Sequence, residues 1–448
     1  MSIKNNQILS GYLATGILIS CCSGIFASSA PRDTVSVVEQ ESSLADNTSI
    51  SSNPSAVNEV TGSADLQKYV EKKLGIKNNH GFRFGGLLIG DTNELLSGGI
   101  PDAMRLTSNG LLLLSGSLDT NKLNGWKGGL FDVEFLQFNG QSTNRQAGTV
   151  QGYNSLPGDP PLNRSELYQL WYRQQLLNDK VFIRIGKSVP TFDFNNVIKP
   201  VSLNKGKLVI PAVSGLIYTP LFVNPSLLGV MPGYYNSAYG LTLNFAPIKQ
   251  WYASYGQYDG NQAQGVQTGL TGPTFNGSYF YIGETGAAWL LGKNKKPGNV
   301  AVGVWHQTGP VVSATRTQQG ASGYYLFGSQ RLWYRHPFDD VSGLSFFYQY
   351  GQNNSDVLPM NKYVGGGFTA FGLVPNRLED MMGVGVALSW LNKNTFSRDS
   401  EIMFQGYYQA KIVKDIYLEP AISYIPTPGA SPSLPPAWAG TIRAILLF

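Results

Sequence analysis

Asp132 and Glu134 stand two residues apart in Phe131-Asp132-Val133-Glu134-Phe135, so an extended chain places both carboxylates on one face. Paired carboxylates are the machinery of glycoside hydrolysis, where one acts as acid and the other as nucleophile or base. The same placement is expected of any strand that turns a polar face toward water, and catalysis is the weaker reading. The 3 histidines, His80, His306 and His336, are far apart and show no metal-ligand spacing. The chain has neither a Gly-x-Ser-x-Gly elbow nor a glycine loop of the phosphate-cradling kind. Gly365-Gly366-Gly367 reads as a turn-like stretch in which glycine eases a backbone bend. The chemistry that remains lies in arginines set opposite apolar residues: Arg184, Arg331 and Arg443. Each offers a fixed fork of donors that never loses its charge. These patterns imply no enzyme, no cofactor and no metal.

The elements that must position these side chains alternate with period two, which means strand. Val181-Phe182-Ile183-Arg184-Ile185, Val300-Ala301-Val302-Gly303-Val304-Trp305 and Met382-Gly383-Val384-Gly385-Val386-Ala387-Leu388 follow the same rule as the Phe131 segment. The last segment, Ile442-Arg443-Ala444-Ile445-Leu446-Leu447-Phe448, ends on an aromatic. Of 448 residues only 14% are charged and 52 are glycine, a charge-poor and glycine-rich chain without a collagen period. The net charge of +5 comes from 33 scattered basic residues, which argues against a nucleic-acid partner.

The N-terminus has its own character. Residues 1–30 read as an export signal: Lys4, an apolar stretch from Ile8 to Ile25, then the small residues Ala27, Ser28, Ser29 and Ala30. Both cysteines, Cys21 and Cys22, fall inside it, so the exported chain would hold no disulfide. Leu18-Ile19-Ser20-Cys21 resembles a lipoprotein box, but ordinary cleavage is the reading kept. Residues 31–62, rich in Ser, Asn, Asp, Glu and Thr, read as a disordered linker. Within 63–80, Asp65 to Leu74 carries Leu66, Tyr69, Val70 and Leu74 at helical spacing, which predicts a short amphipathic helix.

From residue 81 to 448 the alternation persists without a clear domain break, longer than one sandwich comfortably runs. A membrane barrel turns its apolar face to lipid and its polar face to a lumen. The second face here carries Arg, Glu, Gln, Gly and Ala. Aromatics at segment ends (Tyr168, Tyr172, Trp251, Tyr252, Trp333, Tyr334 and Trp390) sit where such barrels place their girdles. The fold expected is therefore an all-β transmembrane antiparallel β-barrel of about 16 strands with a short N-terminal helix. That helix, Asp65 to Leu74, is expected at the periplasmic mouth of the barrel or in its lumen. Parity aims Arg184, Arg331 and Arg443 inward. It also aims Gln169, Trp171 and Arg173 inward if Tyr168, Leu170 and Tyr172 face lipid. Asp132, Glu134 and Glu284 would supply acceptors that neutralise the arginines, and Trp305 a further ring.

The residues also resemble a known family. Leu167-Tyr168-Gln169-Leu170-Trp171-Tyr172-Arg173-Gln174 followed by Val181-Phe182-Ile183-Arg184-Ile185-Gly186-Lys187 is similar to the carbohydrate-selective (OprB-type) porins of Gram-negative outer membranes. Further matches are Glu284, Pro297-Gly298, Ser329-Gln330-Arg331-Leu332-Trp333, Gly372-Leu373-Val374-Pro375-Asn376-Arg377-Leu378-Glu379-Asp380, Leu418-Glu419-Pro420 and Gly440-Thr441-Ile442-Arg443. The Gly-Asp-Trp-Gly-Gly stretch common at the family's start is missing. Arg173 and Gln405 stand where relatives often carry Glu, which leaves the sign of the lumen charge open. The resemblance implies passive, carbohydrate-selective diffusion of small sugars through the outer membrane, with membrane lipid as surroundings and a homo-oligomer left open. A sugar needs donors, acceptors and ring faces along its path. Arg184, Arg173, Gln169, Arg331, Arg443, Asp132, Glu134, Glu284, Trp171 and Trp305 are the pore-lining candidates. A general or plugged barrel is the alternative, and a secreted β-rich carbohydrate-binding or carbohydrate-active protein a more distant one.

Overall fold

The computed structural model describes residues 81–447, except 124, 161, 198–220, 222–223, 232–235, 249, 263–267, 314–315, 338–339, 341 and 414. The export signal, the linker, the helix expected over Asp65–Leu74 and the terminal Phe448 lie outside the described residues.

Sixteen strands follow one another: β1 (Phe82–Ser97), β2 (Leu106–Asp119), β3 (Gly129–Asn139), β4 (Arg164–Leu176), β5 (Val181–Ser188), β6 (Ala238–Ile248), β7 (Trp251–Asp259) and β8 (Tyr279–Leu291). Then come β9 (Lys296–Val312), β10 (Thr317–Tyr334), β11 (Gly343–Asn353), β12 (Met360–Phe371), β13 (Met381–Leu391), β14 (Ser400–Val413), β15 (Ile416–Ile425) and β16 (Ala437–Leu447). Each pairs antiparallel with its chain neighbours, and β1 closes on β16 from Leu87 opposite Leu447 to Ser97 opposite Trp438. A closed ring leaves no strand edge without a hydrogen-bond partner. The barrel and the strand number agree with the sequence reading.

Alternation carries through to three dimensions. Phe131, Val133 and Phe135 are exposed on the outer face of β3, while Asp132, Glu134, Leu136 and Phe138 are buried inside. Val302 and Val304 point out from β9, and Ala301, Trp305 and Gln307 point in. Glycine makes room on the inner face: a Cβ on Gly303 would lie 2.1 Å from the ring of Tyr325 on the next strand. One barrel end carries short turns such as 177–180 and 292–295, and the other carries long connections, notably 140–163, 189–237 and 260–278.

Three expectations need correction. Gly365-Gly366-Gly367 is no turn; it lies in the middle of β12, paired to β11 and β13. Its glycines permit close packing: a Cβ on Gly367 would fall 2.1 Å from the Val384 carbonyl oxygen. Tyr168 does not face outward. A bulge between the β3 pairs Glu134–Gln169 and Phe135–Leu167 leaves Tyr168 as the extra residue, so it and Gln169 both turn inward. The aromatic girdle is smaller than read, because neighbours in a strand point to opposite faces. Trp251 is exposed while the Tyr252 hydroxyl reaches Glu284 inside, and Trp333 is exposed while Tyr334 lies against buried Arg331. The outer aromatics instead pair across strands, as in Phe131 with Tyr172 (4.7 Å between ring centroids), Phe245 with Trp251 (6.0 Å) and Tyr424 with Trp438 (4.4 Å).

The turn between β12 and β13 is tied by charge. Val374 accepts the Arg377 N–H across Pro375-Asn376 at 3.1 Å, with Asn376 at a φ of 60°. Asp380 receives the Arg377 guanidinium, the Tyr408 hydroxyl and the Lys411 N–H. Burial alone would raise its pKa. The hydrogen bonds from Arg377, Tyr408 and Lys411, with the Arg377 charge, outweigh burial and hold it below the ordinary 3.8. A carboxylate depressed in the folded state stabilises above its unfolded pKa, and that contribution fades as pH falls through the folded value. Asp380→Asn should therefore lower the melting temperature of the refolded barrel at about pH 7, and the gap to the parent should be smaller at about pH 3. A gap of equal size at both would mean that the ionised carboxylate does not hold the turn.

Candidate constriction inside the barrel

All ten pore-lining candidates point into the barrel and are 2–7% exposed. Physics requires this of the arginines, since a cation on the lipid face at mid-bilayer costs about 2–4 kcal/mol. Six of them form one patch on β3, β4 and β5. Asp132 lies opposite Trp171, and Glu134 opposite Gln169, whose amide donates to it. Arg173 stands directly across from Arg184. Like charges in register repel, and a counter-charge comes from outside the strands. Asp193, in the 3-10 turn region after β5, binds Arg184 Nη1 at 2.5 Å. The Arg184 guanidinium also lies over the Trp171 ring, 4.6 Å from its centroid.

Two residues beyond Asp193, the N–H of Asn195 donates to Glu284 at 2.7 Å. Glu284, on β8, also accepts from the hydroxyls of Tyr252 (2.7 Å) and Tyr325 (2.8 Å). The start of the β5–β6 connection thus joins Arg184 on one wall to Glu284 on another. Its described apolar residues Phe194, Val197, Leu221, Leu227 and Val230 are buried in one cluster with Tyr258, Phe280, Trp305 and Phe347 of the barrel's inner face. Trp305 stands on β9, 6.2 Å from Phe280 between ring centroids.

A second station sits where the barrel closes. Arg443 on β16 donates two bonds of 2.8 Å to Asp91 on β1, and Glu419 on β15 stands opposite it. The two-bond pairing fixes orientation as well as charge. The β3–β4 connection, which holds the short helix α1 (Thr143–Gln146), folds inward to meet this station. Asn154 Nδ2 donates to Asp91 and to Asn93, both at 2.8 Å, and Ser155 accepts from Arg443 at 3.2 Å. Burial, helped by the Asp91 charge, pushes the neighbouring Tyr153 phenol above its usual 10, so it stays neutral. Arg331 is held in another way, with ring centroids of Tyr334 and Phe371 at 5.0 and 4.8 Å.

Several residues of these clusters carry little or no signal in the sequence. Asp91 follows Leu87-Leu88-Ile89, an apolar run that hides the period. Asp193 lies beyond its strand, where parity says nothing. Lys187, Arg164 and Glu166 form a third inward group, with Glu166 Oε2 4.0 Å from Lys187 Nζ and accepting N–H groups of Thr268 and Gly269 from the β7–β8 connection. Only Lys187 carried a signal, because it closes the Arg184-Ile185-Gly186-Lys187 pattern.

The sequence model of the carbohydrate-selective porin, OprB family, matches residues 105–444. The chain belongs to the carbohydrate-selective porin family. Among solved structures, the high-pH structure of Pseudomonas putida OprB is similar with a TM-score of 0.70 at 16% identity, covering 85% of this chain and 96% of that one. The low-pH structure of the same protein gives a TM-score of 0.54 at 15% identity, covering 86% and 97%. At such identities the likeness shows a shared fold. No curated protein matches the sequence significantly.

As a carbohydrate-selective porin the chain is an outer-membrane channel for passive diffusion of small sugars. Its long connections correspond to the extracellular end and its short turns to the periplasmic end. The Gln405 amide donates to the Tyr153 carbonyl at 2.9 Å and to Ser423 at 3.0 Å. A carboxylate could do neither. At the closing station, Arg443→Met would leave Asp91 and Glu419 buried on either side of β16 without the cation between them. Denaturant titration should show a loss of about 3–5 kcal/mol, and adding Asp91→Asn should recover more than half of it. A loss below about 1 kcal/mol would mean the pair is solvated.

Proposed function

We propose that small sugars cross the barrel interior past the two charged stations, Arg184 with Asp193 and Glu284, and Arg443 with Asp91 and Glu419, with Gln169, Arg173, Asp132 and Glu134 along the same wall. Charge balance supports this reading above all. Two of the inward cations are met by carboxylates, at 2.5 Å (Arg184–Asp193) and 2.8 Å (Arg443–Asp91). Such a wall presents donors and acceptors with little net field, so an ion gains little while a neutral polyol exchanges water for wall contacts. The indole N–H groups of Trp171 and Trp305 are buried without an acceptor among the described residues. The Trp171 ring carries two guanidinium groups, Arg184 at 4.6 Å and Arg173 at 5.9 Å from its centroid, and so holds both donor forks along this wall. Arg331, between Tyr334 and Phe371, would line the path separately.

In this reading the channel turns over no bond. Asp132 and Glu134 are wall acceptors rather than a hydrolytic pair, and the exposed outer residues such as Val133, Ile185, Val304, Val384 and Ile442 meet lipid. Liposome swelling with a panel of sugars and size-matched amino acids tests it. The parent should admit sugars faster than matched solutes, and Arg184→Ala should lower that ratio about threefold or more. An unchanged ratio in the variant removes Arg184 from the selective path; no preference in the parent overturns the reading.

A further inference from the structure

The β3–β4 connection does more than touch the closing station: it continues past β15 to the inner face of β13 and β14. The Gln151 amide donates to the Ala387 and Glu401 carbonyls, both at 3.3 Å, and its oxygen accepts from Ser389 at 2.8 Å. Together with Gln405 on Tyr153, these contacts lay residues 151–153 along the inner face of β13 and β14. At the upper edge of that strip stands Glu401, 0% exposed, the second residue of β14.

Both of its oxygens are saturated by loop donors. Oε1 accepts the Thr149 hydroxyl and the Gln151 N–H, the latter at 3.1 Å. Oε2 accepts the N–H groups of Val150 at 2.8 Å and of Gly429 at 2.5 Å. Thr149, Val150 and Gln151 belong to the β3–β4 connection, whereas Gly429 belongs to the β15–β16 connection. A single carboxylate therefore binds two extracellular connections to each other and to the barrel wall. Gly429 is built for this contact. A Cβ there would lie 2.5 Å from Glu401 Oε2, 2.7 Å from Leu391 Cδ1 and 2.9 Å from Val150 Cγ2. A glycine lets that N–H come close enough to donate.

We propose that Glu401 is a positioning residue for the channel: it latches the β3–β4 and β15–β16 connections together at the inner face of β14 and so sets the aperture and the preference for sugars. The inference rests on the reading that solutes pass the inward β3–β4 connection. A carboxylate is the right group because all four partners are donors and both of its oxygens accept. A glutamine of the same shape would turn an NH2 toward at least one backbone N–H and lose that bond, leaving two like donors face to face. An aspartate, one methylene shorter, would not reach both connections.

The test uses the full refolded chain in planar bilayers and in swelling liposomes, with Glu401→Gln and Gly429→Ala beside the parent. Glu401→Gln should raise single-channel conductance about 1.5-fold or more and at least halve the sugar-to-matched-solute ratio, because the freed connection widens the path. Amide exchange should accelerate at Val150, Gln151 and Gly429 while heat-modifiable gel migration stays that of a folded barrel. Gly429→Ala should shift the same readouts in the same direction by less, and it decides the matter if Glu401→Gln does not fold. Parental conductance, parental ratio and parental exchange in a folded variant would overturn the proposal. Conductance and exchange read the latch even if the parent shows no sugar preference, so failure of the latch and failure of the sugar path are told apart.

Discussion

Everything in this molecule depends on backbone hydrogen bonds that have no substitute inside a bilayer. A strand edge exposed to hydrocarbon leaves N–H and C=O groups unpaired, at several kcal/mol each. The pairing of β1 with β16 removes that edge, and closing the ring forces each strand to have one face outside and one inside. Once the ring is closed, a charged side chain on a strand has one tolerable direction. The inward placement of Arg184, Arg331 and Arg443 is therefore a consequence of closure.

Closure also creates a difficulty, because charges driven into one lumen must be satisfied there. This chain does so largely with its connections. Asp193 leaves β5 and turns back on Arg184; Asn195 continues to Glu284; Asn154 and Ser155 meet the Asp91–Arg443 pair. The connections in turn bury apolar side chains, Leu156 among Leu111, Leu136 and Phe138, and Phe194 with Val230 among barrel aromatics. The inner face is consequently less uniformly polar than a water-filled lumen would be. It is polar where ion pairs lie and apolar where a connection docks.

The legible parts of the sequence are those governed by local rules. Period-two alternation in the Phe131, Val181, Val300 and Met382 segments yields strand identity and side-chain direction, and the candidates chosen from that parity are all inside. Local rules fail where the backbone departs from them. Tyr168 turns inward against its parity because a bulge is decided by pairing between strands, which a single strand does not record. Gly365-Gly366-Gly367 has the composition of a bend, yet the need for small residues comes from Phe347, Val384 and Tyr363 around them. Adjacent aromatics such as Trp251 and Tyr252 resemble one girdle, though alternation by itself divides them.

The amino-acid order alone determined the class: a charge-poor, alternating chain with inward arginines can satisfy lipid outside and water inside only as a closed barrel. It also carried, through the Leu167–Lys187 stretch and its companions, the family to which the chain belongs. Tertiary structure alone decided which carboxylate answers which arginine, and that Glu401 gathers two connections 251 and 28 residues away from it. Those partners lie on connections whose paths obey no period, so their meeting depends on the shape of the cavity they fill. Strand direction is a property of neighbours in sequence, whereas the pairing of charges inside the barrel is a property of neighbours in space.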